Sequence, residues 1–156
     1  MGRVIYILVG PPCSGKTTEA KKMLADQTNL LRVNRDSYRY MLRNEGYCNY
    51  NVENIITGLQ DRAIDKALEG GYDVIIDNTH CKPKYISDLT KKYADKAAIC
   101  VYTFKASLLR LRFRNIVRYL KTGVWIPDHV LVSMQKGFKE SVKFLDTHGT
   151  DYCKEC

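Results

Sequence analysis

The stretch Val4-Ile5-Tyr6-Ile7-Leu8-Val9-Gly10-Pro11-Pro12-Cys13-Ser14-Gly15-Lys16-Thr17-Thr18 decides the fold. Six apolar residues read as a buried strand. They run directly into G-P-P-C-S-G-K-T, a complete GxxxxGK[ST] phosphate-binding loop, and helix-forming residues follow from Glu19 to Ala25. The strand holds the loop, and the loop wraps a polyphosphate with backbone N–H groups. The new helix aims its positive end at the same charge. Gly10 and Gly15 read as positions where a side chain would block backbone approach to the ligand. Lys16 can neutralise β- and γ-phosphates, and Thr17 offers a hydroxyl to Mg²⁺. The phosphate-binding set is therefore Gly10, Cys13, Ser14, Gly15, Lys16, Thr17 and Thr18, with a nucleoside triphosphate as the expected ligand. The loop says almost nothing about what receives the phosphate.

Working outward, 156 residues suffice for one sizeable core and are too few for two ordinary domains. One domain over 1–156 is expected. The sequence has no linker-like tract, internal repeat or apolar run long enough to span a bilayer. The first strand begins at Val4, so no leader is expected before it. These features predict a soluble, cytoplasmic protein without a membrane partner. The six cysteines read as reduced free thiols, because only Cys153-x-x-Cys156 has ligand-like spacing and no second pair completes a zinc site. The net charge of +8 is high for so short a chain and points to a polyanionic partner as readily as to a solvated basic surface.

Strands and helices alternate along the chain. Strands are expected at Val4–Val9, Leu30–Asn34, Tyr72–Ile76 and Ala97–Phe104. Helices are expected at Thr17–Ala25, from about Tyr38, at Asn51–Leu68, Pro83–Tyr93, Ser107–Leu120 and Asp128–Leu145. This pattern predicts an α/β fold with a parallel sheet of about four to five strands and helices on both faces. Ligands of such sheets sit at the carboxyl ends of the strands, so residues just past each strand matter most.

Past the second strand stands Asn34-Arg35-Asp36-Ser37-Tyr38-Arg39. Asp36 reads either as a helix N-cap or, beside a phosphate loop, as a base that takes a proton from an attacking hydroxyl. Arg39 shares its helical face and can hold an acceptor phosphate or pair with a carboxylate. Past the third strand stands Asp77-Asn78-Thr79-His80. Asp77 can help hold Mg²⁺, orient an arginine or simply close a turn. His80 reads as a solvated loop histidine. The segment from Lys105 to Lys121 carries Arg110, Arg112, Arg114 and Arg118 and no acid. Arg110, Arg114, Arg118 and Lys121 share one helical face, and because the segment follows the fourth strand it suits a lid closing over ATP better than an RNA- or DNA-contacting helix or free solvation.

Together, Gly10–Thr17, V-N-R-D-S-Y-R from Val33, D-N-T-H-C-K-P from Asp77, R-N-I-V-R from Arg114 and I-P-D-H-V-L-V-S-M from Ile126 resemble the kinase domain of the bacteriophage polynucleotide 5′-kinase/3′-phosphatase family. The resemblance spans nearly the whole chain in family order, and N-R-D-x-Y-R is its most discriminating element. It implies a P-loop kinase fold with an Arg-rich lid over about 106–126, ATP as donor and Mg²⁺ as cofactor. It also implies 5′-hydroxyl ends of DNA or RNA as partner. Catalysis would fall to Lys16, Asp36 as general base and Arg118 on the donor phosphates, with Arg114 assisting and Thr17 at the metal. Arg39, Asp77, Asn78 and Thr79 would face the acceptor, with Asp77 or Asn78 orienting Arg39. The longer stretch between Arg118 and Pro127 implies a larger lid. No D-x-D-x-T/V element is present, so a standalone kinase without the phosphatase half is expected. The resemblance suggests a phage origin, which would put the protein in phage-infected host cytoplasm.

Tyr38, Tyr40, Tyr47 and Tyr50 are candidate base-stacking surfaces or ordinary core and surface tyrosines. Two other functions fit the same loop: a small-molecule kinase acting on a nucleoside or antibiotic, and a nucleic-acid-binding module switched by nucleotide. A homo-oligomer is compatible with all three.

Overall fold

A computed structural model describes residues 2–148 and the backbone of 153–154. In chain order the elements are β1 (Val4–Val9), α1 (Lys16–Asp26), β2 (Leu30–Val33), α2 (Arg35–Arg43), α3 (Tyr50–Glu69), β3 (Asp73–Ile76), α4 (Pro83–Tyr93), β4 (Ala98–Thr103), α5 (Leu108–Thr122) and α6 (Asp128–Thr147), with β5 (Cys153–Lys154) at the end. The sheet runs β2-β3-β1-β4, with the two-residue β5 beside β4, and every pairing is parallel. Ile7 is the centre of the register, opposite Ile76 on one side and Val101 on the other. The expected α/β architecture is the one observed.

Both faces of β1 are covered, which is why it reads as an unbroken apolar run. Ile5, Ile7 and Val9 face a cluster that includes Ile64 from α3, Ile86 from α4 and Phe138 from α6. Leu8 faces the opposite cluster with Ala20 of α1 and Leu30 of β2. The connections after β1 and β3 therefore leave toward opposite faces. Between these adjacent strands a crevice opens at their carboxyl ends, and the Gly10 amide bridges it to the Thr79 carbonyl at 2.9 Å. This topological switch point is where an α/β sheet binds its ligand.

The largest difference from expectation lies in α2. It begins at Arg35, three residues before Tyr38, because Asn34 caps it by accepting the Ser37 amide at 2.9 Å. Asp36 is therefore not the cap. It lies in the first turn with an exposed carboxylate. His80 also differs from expectation. It is buried, with backbone φ of 45°, and its Nδ1 donates to the Leu8 carbonyl at 2.9 Å. Cys13, Cys48, Cys81 and Cys100 are free thiols. The Cys153/Cys156 pair lies outside the described side chains. Among the described residues, no helix is long and apolar enough to cross a membrane, and no group of three or more His, Cys, Asp or Glu could hold a metal.

Burial pushes the His80 imidazole down to about 4. Its unfolded value is near 6.5, so the unfolded chain binds more protons between pH 6.5 and 4. This stability is present above pH 6.5 and is lost as the pH falls toward 4. His80→Asn keeps a donor toward Leu8 and tolerates positive φ. The variant should show a flatter loss of denaturation midpoint across that window. An unchanged pH profile would remove His80 as its source.

Candidate active site

The phosphate loop is shaped by its own packing. A Cβ on Gly10 would stand 2.7 Å from Ser14 Oγ and 3.0 Å from Phe104 Cβ, so the constraint there comes from the protein rather than from a ligand. Gly15 has φ of 111°, a conformation that favours glycine, and it delivers the chain into α1. The Lys16 ammonium is buried and donates to the Gly10 and Pro11 carbonyls at 2.7 and 2.8 Å. Loss of solvent lowers its pKa to about 8.

Bound phosphate would restore charge stabilisation to that ammonium and raise its pKa. Binding of ATP near pH 8 should therefore take up protons, and affinity should weaken as pH rises through 8. Calorimetry in two buffers of different ionisation enthalpy measures the uptake. Identical apparent enthalpies in both would contradict it.

Asp77 ends β3 beneath the loop. One carboxylate oxygen accepts the Thr17 hydroxyl at 2.9 Å and the Arg32 Nε and Nη2 at 2.9 and 2.6 Å. A hydroxyl and a carboxylate this close are hard oxygen donors. They fit Mg²⁺, which keeps several waters and takes the rest of its shell from phosphate oxygens. Asn78 accepts the Arg35 amide at 3.0 Å and donates to Gln60 Oε1 at 2.9 Å, so it ties α2 to α3.

Neither Asp77 nor Asn78 orients Arg39. Glu53, in the first turn of α3, does so. Its two oxygens accept Arg39 Nε and Nη2 at 2.6 and 3.0 Å, and Arg35 Nη2 at 2.7 Å. These bonds, led by those from Arg39, hold the Glu53 carboxyl down at about 2. The remaining Arg39 nitrogen, Nη1, donates to Asp36. Glu53, Arg39 and Asp36 thus form a chain that ends at the exposed carboxylate.

On the other wall, Arg114 Nη1 donates to the Cys13 and Ser14 carbonyls at 3.2 and 3.0 Å, docking α5 on the phosphate loop. Arg118 follows one turn later and lines the same cleft. The expected four-cation face is divided in space: Arg110 borders a separate cavity between Ser107 and α6. Arg112 has an acid after all, supplied by Asp128 of α6 at 2.6 Å. Buried Asn115 clasps the backbone of Ile126, donating at 2.8 Å and accepting at 3.2 Å. That clasp returns the chain after α5 to the cleft, where Trp125 stands edge-on to Tyr119.

A cleft of about 1290 Å³ joins these walls. It is lined by Cys13, Ser14, Gly15, Lys16, Thr17 and Thr18 from the loop, Asp36 and Arg39 from α2, Asp77, Asn78 and Thr79 from the β3 end, and Arg114 and Arg118 from α5. Gly10 lies behind the loop, outside the lining. Tyr40, Tyr47 and Trp125 line the cleft, whereas Tyr38 packs against the core and Tyr50 projects into solvent. Glu53, Asn115 and Trp125 are the residues that sequence reasoning missed. An acid in a helix first turn, such as Glu53, reads locally as dipole compensation, and no local signal ties it to Arg39.

A phosphate loop between β1 and α1, with Asp77 at the end of neighbouring β3 and Asp36 in the helix that follows β2, defines a P-loop nucleotide-binding domain of the kinase type. The chain belongs to the AAA domain family, whose model matches residues 5–141. It is 33% identical over 92 residues to the ATP-dependent kinase YFH7 of Candida glabrata, covering 55% of this chain and 27% of that protein. Among solved structures it resembles a chain of a Pnkp1/Rnl/Hen1 RNA repair complex, with TM-score 0.87 and 27% identity over 91% of this chain and 46% of the other. A gluconokinase from Sinorhizobium meliloti 1021 shares the fold alone, at TM-score 0.55 and 16% identity over 87% of this chain and 74% of the other. The chain spans less than half the length of the first two relatives.

Proposed function

We propose that the domain transfers the γ-phosphate of ATP to the 5′-hydroxyl of a polynucleotide. The observation that carries this reading is the Glu53–Arg39–Asp36 chain on the wall opposite the phosphate loop. Asn34 has taken over the cap, so the Asp36 carboxylate is not spent on capping its helix and stands in the cleft beside Arg39. There it can accept the proton of an attacking hydroxyl as that oxygen bonds to the γ-phosphorus and ADP leaves. Arg39, held in place by Glu53, would grip the phosphate that follows the acceptor nucleoside. Lys16 and Arg118 would meet the charge on the transferred group, and Arg114 would keep α5 seated as the lid. Mg²⁺ held by Thr17 with the donor oxygens would supply charge neutralisation. The net charge of +8 and the likeness to a chain of an RNA repair complex support a nucleic-acid acceptor over a small neutral one.

The test is incubation with γ-labelled ATP, Mg²⁺ and a 5′-hydroxyl oligonucleotide beside its 5′-phosphorylated counterpart. Label on the first alone is expected. Oligonucleotide affinity should also fall linearly in log–log terms with salt, as released counterions require. Label on neither strand, with ATP still bound, would redirect the reading to a small-molecule acceptor or a nucleotide-switched binding module.

A further inference from the structure

Helix α5 carries a second face that the cleft does not use. Leu109, Phe113, Ile116 and Leu120 are 76%, 67%, 49% and 78% exposed. Their spacing of 4, 3 and 4 residues places all four within a stripe about 60° wide at 100° per residue. Arg114 and Arg118 point to the opposite side, into the cleft. Leu111 and Asn115, on that inner side, are buried. A surface helix normally exposes its polar face, and this one exposes a strict a/d seam, the narrow pattern that packs against another helix.

We infer that this seam pairs with α5 of a second copy of the chain, antiparallel about a two-fold axis. The stripe is nearly self-complementary about its midpoint. Antiparallel packing sets Leu109 against Leu120 of the other copy and Phe113 against Ile116. On the flanks Arg110 then meets Val117 and Arg112 meets Tyr119, so no two arginines are opposed, and the two helix dipoles run in opposite directions. A parallel pair would bring the basic amino-terminal halves together, Lys105 and Arg110 included. Arg112 is also already neutralised by Asp128. Each stripe offers on the order of 500 Å² of apolar surface, the scale of the largest apolar patch on a typical monomer, which is often functional. Two of them with their flanks reach roughly the 1,000 Å² at which a contact becomes specific. Both clefts stay open, because the seam lies across the helix from Arg114 and Arg118.

Sedimentation equilibrium of the whole chain over a hundredfold concentration range tests this. A monomer–dimer equilibrium is expected, tightening as salt screens the repulsion between two +8 molecules. Leu109→Glu and Phe113→Glu should each weaken it at least tenfold with helical circular dichroism unchanged. Ile55→Glu, on an exposed apolar residue of α3, should leave it intact. A wild-type chain that stays monomeric throughout would overturn the proposal. So would a dimer indifferent to both seam variants, or one that salt dissociates. The readout is mass, so the inference stands or falls independently of the acceptor.

Discussion

Asp36→Ala is expected to lower kcat for phosphate transfer by about 10²–10⁴-fold, the range for loss of a positioned base. ATP binding should be nearly unaffected, because in the proposed mechanism the loop and Lys16 would hold the donor without help from α2. The exposure of Asp36 and the transfer of capping to Asn34 make a folding defect a poor explanation for such a loss. Asp36→Asn separates base from bracket, since the amide oxygen can still accept from Arg39 Nη1 but cannot take a proton. Single-turnover rates with saturating ATP and oligonucleotide measure both variants. If Asp36→Asn turns over like the wild type, Asp36 positions Arg39 and another group takes the proton.

The second large effect is on stability. Gly137 in α6 lies against the backbone after β3, where a Cβ would stand 2.2 Å from the Cys81 carbonyl oxygen. Backbone cannot rotate away as a side-chain end can, so Gly137→Ala must push α6 off the 77–81 loop. A cost of about 1–3 kcal/mol, the range for overpacking, is expected despite alanine's better helix propensity. Ser141 donates to the His80 carbonyl at 3.3 Å from the same helix, and that contact should weaken as well. Gly58 supplies the opposite case. It is exposed in α3 with nothing within 4 Å of a Cβ, and Gly58→Ala should stabilise by about 0.5–1 kcal/mol. Denaturant midpoints of the two variants should move in opposite directions. Equal shifts would mean that α6 does not sit as close to Cys81 as described.

Much of this molecule was readable locally. The buried β1 run, the glycine turn and the start of α1 are contiguous, and each follows from residues within a few positions. The four main strands and six helices emerged from apolar periodicity, β1 and α4 with both ends as expected and the others with ends moved by at most three residues. The cap of α2 was misplaced because Asn34, Asp36 and Ser37 are all good caps, and only the backbone path chooses among them. His80 was misjudged because nothing beside it in sequence shows that Leu8 and Ser141 enclose it.

By itself the sequence determined the P-loop between β1 and α1 and which strand ends surround it, since both depend on short-range spacing. Only the tertiary structure decided the partners. It placed Glu53 rather than Asp77 or Asn78 on Arg39, Arg114 on the carbonyls of Cys13 and Ser14, and the apolar side of α5 toward solvent. The reason is physical. A charged group takes its partner from whatever the packed core brings within about 3 Å. These partners lie 14 and 100 or more residues apart, a separation that only the packing of helices on the sheet closes.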